Sequence, residues 1–203
     1  MLMKCKYLIF DCTPISKPRD YKAPFSDTFA WPRLIHLSWI MLNDQFKPIS
    51  DYDCIIEPEG FSFDENIAKY AKIDQEDINQ KATPLEDVLK QFSACVDDSE
   101  YIFAHNLNMN ENVIAAEFLR RGINHSLFKA ERFCLMQEST WYCKIPSKTG
   151  GYKWPTLREL HAVLFNQAYA PSGNARADVI AASRCFIKLM KLGQLEDLFD
   201  EED

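Results

Sequence analysis

Asp11 closes the apolar run Tyr7–Phe10, and Thr13 stands two positions further on. A second apolar run, 101–104, ends in His105-Asn106, with Asn110 four residues later, and late in the chain Gly173-Asn174 opens a helical pattern that carries Asp178. Carboxylates gathered from separate segments are how proteins hold hard divalent cations, and such cations make water nucleophilic at neutral pH. Two of them about 4 Å apart repel by roughly 16 kcal/mol at an effective dielectric near 20, so a two-ion hydrolytic site needs several carboxylates. Asp11 and Asp178 supply two negative charges. Mg²⁺ or Mn²⁺ is therefore expected to bind as a single weak ion or to be absent.

Strand alternation puts Asp11 and Thr13 on one face, as a pair of metal ligands would need, but a hydroxyl brings no charge. Asn110 keeps the helix-capping capacity of an aspartate and loses its charge. Glu111, next to it, points about 100° away on a helix and makes a poor substitute. His36 lies in an apolar strand pattern and His161 in an apolar helix pattern, so both read as structural. The connection 15–31 mixes Lys17, Arg19 and Lys22 with Tyr21, Phe25, Phe29 and Trp31. Cations for phosphates and rings for bases are what a single nucleic-acid strand requires. Lys144, Lys148 and Lys153 around Gly150-Gly151 are candidates for an opposite wall.

The elements that must position these residues follow from pattern. Strands are expected at 7–10, 34–42, 52–56, 101–104 and near 132–135, with a turn at 43–51. Helices are expected at about 64–71, 74–79, 85–96, 111–121, 155–164 and 174–192, the fourth stopped by Gly122 and the last by Gly193. This is an α/β chain with a mixed sheet.

In their order and spacing, Asp11-Cys12-Thr13, His105 to Asn110 and Gly173 to Asp178 resemble the DEDD-type 3′-5′ exonucleases of the ribonuclease H-like superfamily. The runs 31–42 (WPRLIHLSWIML) and 152–165 (YKWPTLRELHAVLF) strengthen the likeness, which extends over about Lys4 to Lys191. It implies a ribonuclease H-like sheet of five strands in the order 3-2-1-4-5, flanked by helices. It also implies that Thr13, Asn110 and Gly173 stand where that pattern carries Glu, Asp and a general-base His, leaving Asp11 and Asp178 as the metal positions. Loss of such a base costs about 10²- to 10⁴-fold. Of the four histidines, His105 alone lies near the motifs.

The expected function is an exonuclease-like domain with impaired or lost catalysis that retains 3′-end binding or a docking role. Lys17, Arg19, Tyr21, Lys22, His105 and Asn106 are its candidate substrate contacts. The alternatives are a weak metal-dependent 3′-5′ exonuclease and a protein-binding scaffold. Restoring Thr13→Glu, Asn110→Asp and Gly173→His together is expected to regain nuclease activity.

Composition bounds the rest. The 203 residues suit one domain, 1–195, followed by an acidic tail, 196–203, expected to be solvated and frayed. The tail holds six acids, so the net charge of −7 falls to −1 for the remainder, with 24 acids against 23 bases. Seven cysteines without a C-x-x-C pair read as reduced thiols, and no apolar run approaches the roughly 20 residues of a membrane helix. A cytoplasmic address without a membrane partner is the expectation.

Overall fold

In the computed structural model, which describes residues 5–167 and 173–199, the first apolar run becomes the centre of a five-stranded sheet. β1 (Tyr7–Pro14), β2 (Leu34–Leu42), β3 (Pro48–Ile55), β4 (Tyr101–Ala104) and β5 (Glu131–Cys134) are ordered β3-β2-β1-β4-β5. β2 pairs antiparallel with β1 and β3, while β4 runs parallel to β1 and β5. The order is the expected one.

Alternation along β1 divides the core in two. Leu8, Phe10 and Cys12 point into a layer with Trp39, Phe92 and Phe118, contributed partly by α3 (Leu85–Asp97) and α4 (Leu107–Arg121). Tyr7 and Ile9 point the other way, onto Phe103 and onto Leu160 and Phe186 of α7 (Leu157–Phe165) and α8 (Ala175–Lys191). Ring packing fills both layers: Trp39 stacks on Tyr52 at 4.6 Å, and Phe103 lies 4.6 Å from Phe186. Each fully buried aromatic or aliphatic side chain contributes about 1.5–3 kcal/mol, so these layers fix the sheet against its helices. The odd-numbered face of β1 continues to Asp11 and Thr13, which therefore confront α8.

Boundaries shift where tertiary pairing overrides local pattern. β1 runs on to Pro14 because Asp11 and Thr13 pair with Ser38 and His36 of β2. β3 begins at Pro48 rather than Tyr52; as an exposed edge strand it lacks an apolar signature. α4 starts at Leu107 instead of Glu111, entered through Asn106 in the left-handed conformation (φ 61°) with no side-chain cap. Asn110 thus sits inside the first turn and does not cap the helix. Two single-turn helices, α5 (Leu135–Glu138) and α6 (Thr140–Cys143), follow β5, and α1 (Glu65–Ala71) and α2 (Gln75–Lys81) lie between β3 and α3.

The acidic tail differs most from expectation. Glu196–Phe199 forms a 3₁₀ helix whose Phe199 ring lies 4.7 Å from Tyr101 and 5.9 Å from Tyr7, so this part is docked rather than frayed. Residues 200–203 lie outside the described residues. The seven cysteines are free thiols, and no described helix is long and apolar enough to cross a membrane.

Candidate functional site

The carboxyl ends of parallel strands are where α/β proteins form their clefts, and β1 and β4 end side by side in this sheet. Here that position holds a cleft of about 380 Å³ lined by Asp11, Thr13, Tyr70, His105, Asn106, Asn110, Gly173 and Asp178, among others. The three sequence motifs, spread over 168 positions from Asp11 to Asp178, thus meet in one place. Sequence reasoning missed Tyr70, Met109 and Leu157, which also line it. Tyr70 lies in a short polar helix, and nothing in its neighbours distinguishes it from a surface residue.

Asn110 is the hub. Its Oδ1 accepts from the backbone N–H of Cys12 at 2.7 Å, and this fixes the orientation of the amide. Nδ2 then donates to the carbonyls of His105 (3.0 Å) and Asn106 (3.4 Å) and to Asp11 Oδ1 at 3.2 Å. The residue is almost wholly buried, and it ties the end of β1 to the β4–α4 turn. Toward Asp11 it presents a hydrogen-bond donor, not a ligand for a cation.

Thr13 is likewise engaged. Its buried hydroxyl accepts from the N–H of Ala175 at 2.8 Å, satisfying a free donor in the first turn of α8, while Asn174 caps the same turn through the N–H of Ala177 at 3.1 Å. Gly173 takes φ +73°, a left-handed conformation that strains any side chain, and a Cβ there would meet Lys72 Nζ at 3.2 Å. The space that a histidine would enter holds the end of a lysine. Asn110 and Thr13 are thus engaged in local hydrogen bonds, and Gly173 sits against Lys72.

Burial, and secondarily the charge of Asp178, holds the Asp11 carboxyl well above the usual carboxylate range, the Asn110 contact opposing both. Burial lowers His105 to about 4, against a hydrogen bond to the Pro155 carbonyl. His105 is therefore neutral at pH 7, and because a carbonyl only accepts, its Nε2 carries the hydrogen at 3.0 Å from Pro155 O. Glu111 turns away from the cleft to pair with Arg132 at 3.1 Å. Among the described residues, no three His, Cys, Asp or Glu side chains gather as a metal site. The donor set does not fit a pair of divalent ions.

The candidate substrate contacts separate into groups. Asn106 and His105 line the cleft. Tyr21 is not among the lining residues; its carbonyl receives Asn108 Nδ2 at 3.3 Å, and it acts on Tyr70, whose hydroxyl is raised first by burial and then by Tyr21 and Cys12. Lys17 and Arg19 line a separate groove, and Lys22 is exposed in the turn fixed by Asp20. Lys144, Lys148 and Lys153 do not line the cleft, and Lys153 pairs with Glu159 at 2.5 Å. His36 bonds Asp53 at 2.6 Å on the sheet, and His161 stacks on Phe165 at 4.6 Å.

No protein-family model and no curated protein sequence matches the chain. Solved structures do. E. coli Exonuclease I in complex with a dT13 oligonucleotide superimposes with a TM-score of 0.69 at 15% identity over 96% of this chain. The nuclease domain of 3′hExo, a DEDDh family member, bound to rAMP, superimposes with a TM-score of 0.67 at 13% identity over 95% of this chain and 94% of that domain. The fold is DEDDh exonuclease-like. Cell-death related nuclease 4 shares it at a TM-score of 0.68 and 11% identity, covering 94% of this chain and 65% of its own. The present chain spans 42% of the Exonuclease I chain, so it matches only part of that protein. Within the DEDDh exonuclease-like fold, the cleft described above carries two carboxyl groups and a cross-brace of amides.

Proposed function

We propose that this DEDDh exonuclease-like domain holds the 3′ end of a single-stranded nucleic acid in its cleft and has lost the hydrolytic step. The observation that carries the reading is the Asn110 amide, whose oxygen is taken by Cys12 N–H and whose nitrogen faces Asp11. A cation beside Asp11 would confront that N–H dipole with only Asp178 to add charge. Burial and the charge of Asp178 shift the Asp11 carboxyl toward its uncharged form, which repels a phosphate less than a carboxylate does. Tyr70, which lines the cleft, and Tyr21, which acts on it, offer ring faces for a terminal base. Support also comes from the similar proteins, which include Exonuclease I in complex with dT13 and dA16 and 3′hExo bound to rAMP.

The test is a 3′-labelled single strand incubated with the protein in Mn²⁺ and, separately, in EDTA. Binding is expected to be the same in both, with no labelled mononucleotide released. Asp11→Asn is expected to bind at least as tightly, since an amide cannot take on the negative charge that a carboxyl can. Mn²⁺-dependent release that disappears in Asp11→Ala would overturn the proposal in favour of a slow exonuclease.

A further inference from the structure

The connection between β1 and β2 builds a second concavity, a groove of about 480 Å³. Lys17, Arg19, Arg33 and Arg120 line it, and no carboxylate does. One acid lies beneath: Glu117, wholly buried, takes Arg33 Nε at 2.8 Å and Arg120 Nη1 at 3.1 Å. The lining itself is cationic on a chain of net charge −7, although Asp20 and Asp27 of the same connection and Glu59 beside Gly60 lie just outside it. Lys17 and Arg19 are exposed and make no ion pair among the described residues. The Arg19 guanidinium lies 4.4 Å from the centre of the Phe29 ring, and Phe29 is 78% exposed.

A ring of that size left in solvent while the loop around it is tied down calls for an explanation. Arg19 N–H donates to Ala30 O at 2.9 Å, Ile15 N–H to Arg33 O at 2.9 Å and Trp31 Nε1–H to Pro24 O at 3.1 Å. Arg120 Nη2 donates to the carbonyls of Thr28 and Trp31, each at 2.6 Å. The backbone of the groove is thus formed in advance, with Arg120 fixed and the side chains of Lys17, Arg19 and Phe29 left for a ligand to order. A flat group against the Phe29 ring, which Arg19 already meets, with an anion over Lys17 and Arg19 uses each of these features.

The groove adjoins the cleft. Pro14 lines the cleft and the next residue, Ile15, lines the groove. α4 joins them from behind, with Asn110 at the cleft and Arg120 at the groove, about 15 Å along the helix. We infer that this groove is a second nucleic-acid subsite, in which the phosphates of a single strand run over Lys17 and Arg19 and a base stacks on Phe29, upstream of a 3′ end lodged in the cleft. The direction of the strand rests on the proposed function of the cleft; the subsite itself does not.

Binding is measured for a dinucleotide, for a single strand of roughly eight nucleotides, within the usual range of such sites, and for AMP. The wild type is compared with Lys17→Glu/Arg19→Glu and with Phe29→Ala, all at exposed positions outside the cleft. The longer strand is expected to lose about tenfold or more in the double variant, with its log-affinity against log-salt slope shallower by about 1.4, two contacts at about 0.7 each. Phe29→Ala is expected to cost about fivefold or more, and the dinucleotide to be indifferent to all three changes. Unchanged binding of the longer strand would overturn the subsite, and so would loss confined to AMP, which would make the groove a free-nucleotide site. A longer strand that depends on Lys17 and Arg19 while no dinucleotide binds would retire the cleft reading and leave the subsite standing.

Discussion

At the scale of single residues, the Asn110 amide is a structural commitment. An aspartate there would set a carboxylate oxygen against the carbonyls of His105 and Asn106 and against Asp11. Asn110→Asp is expected to lower stability by about 2 kcal/mol or more at neutral pH, read from the urea midpoint, with the loss shrinking as acid restores a donor. Asp11 carries the opposite message. Its proton is held more tightly folded than unfolded, so the stability this gives is complete below the ordinary value of 3.8 and lost as pH rises through the raised folded value. Asp11→Asn should therefore stabilise the fold by about 1 kcal/mol at pH 7 and by nothing below about pH 3.8; a gain independent of pH would contradict this account.

At the scale of elements, Thr13 and α8 explain both what sequence shows and what it hides. Alternation in β1 already predicts that Asp11 and Thr13 share a face, and the structure turns that face toward α8. No pattern indicates that the Thr13 hydroxyl receives the N–H of Ala175, a partner 162 residues away. Thr13→Ala leaves that donor buried and unpaired, which should cost about 2 kcal/mol and raise amide exchange selectively in the first turn of α8. β2 and the ends of α4 and α8 at glycine are legible because buried apolar runs and left-handed stops are local signals. The polar edge strand β3, the single-turn helices α5 and α6 and the docked Phe199 are not, because each depends on neighbours distant in sequence. Motif order singled out Asp11, His105, Asn106, Asn110, Gly173 and Asp178, and the fold brings them to one cleft. The assignment of Lys17 and Arg19 to a different concavity needed the path of the loop.

At the scale of the whole molecule, the cleft and the 3₁₀ helix occupy opposite ends of the central strands. Phe199 rests on Tyr7 and Tyr101, where β1 and β4 begin, whereas the cleft opens where they end, about 20 Å away. Glu196 and Asp197 are exposed beside that anchor, and Lys17 and Arg19 are exposed near the other end. Two acids of the tail are thus pinned at the end of the sheet away from Lys17 and Arg19. Were the proposed strand to approach at low ionic strength, that separation would favour its meeting the groove before the acidic end.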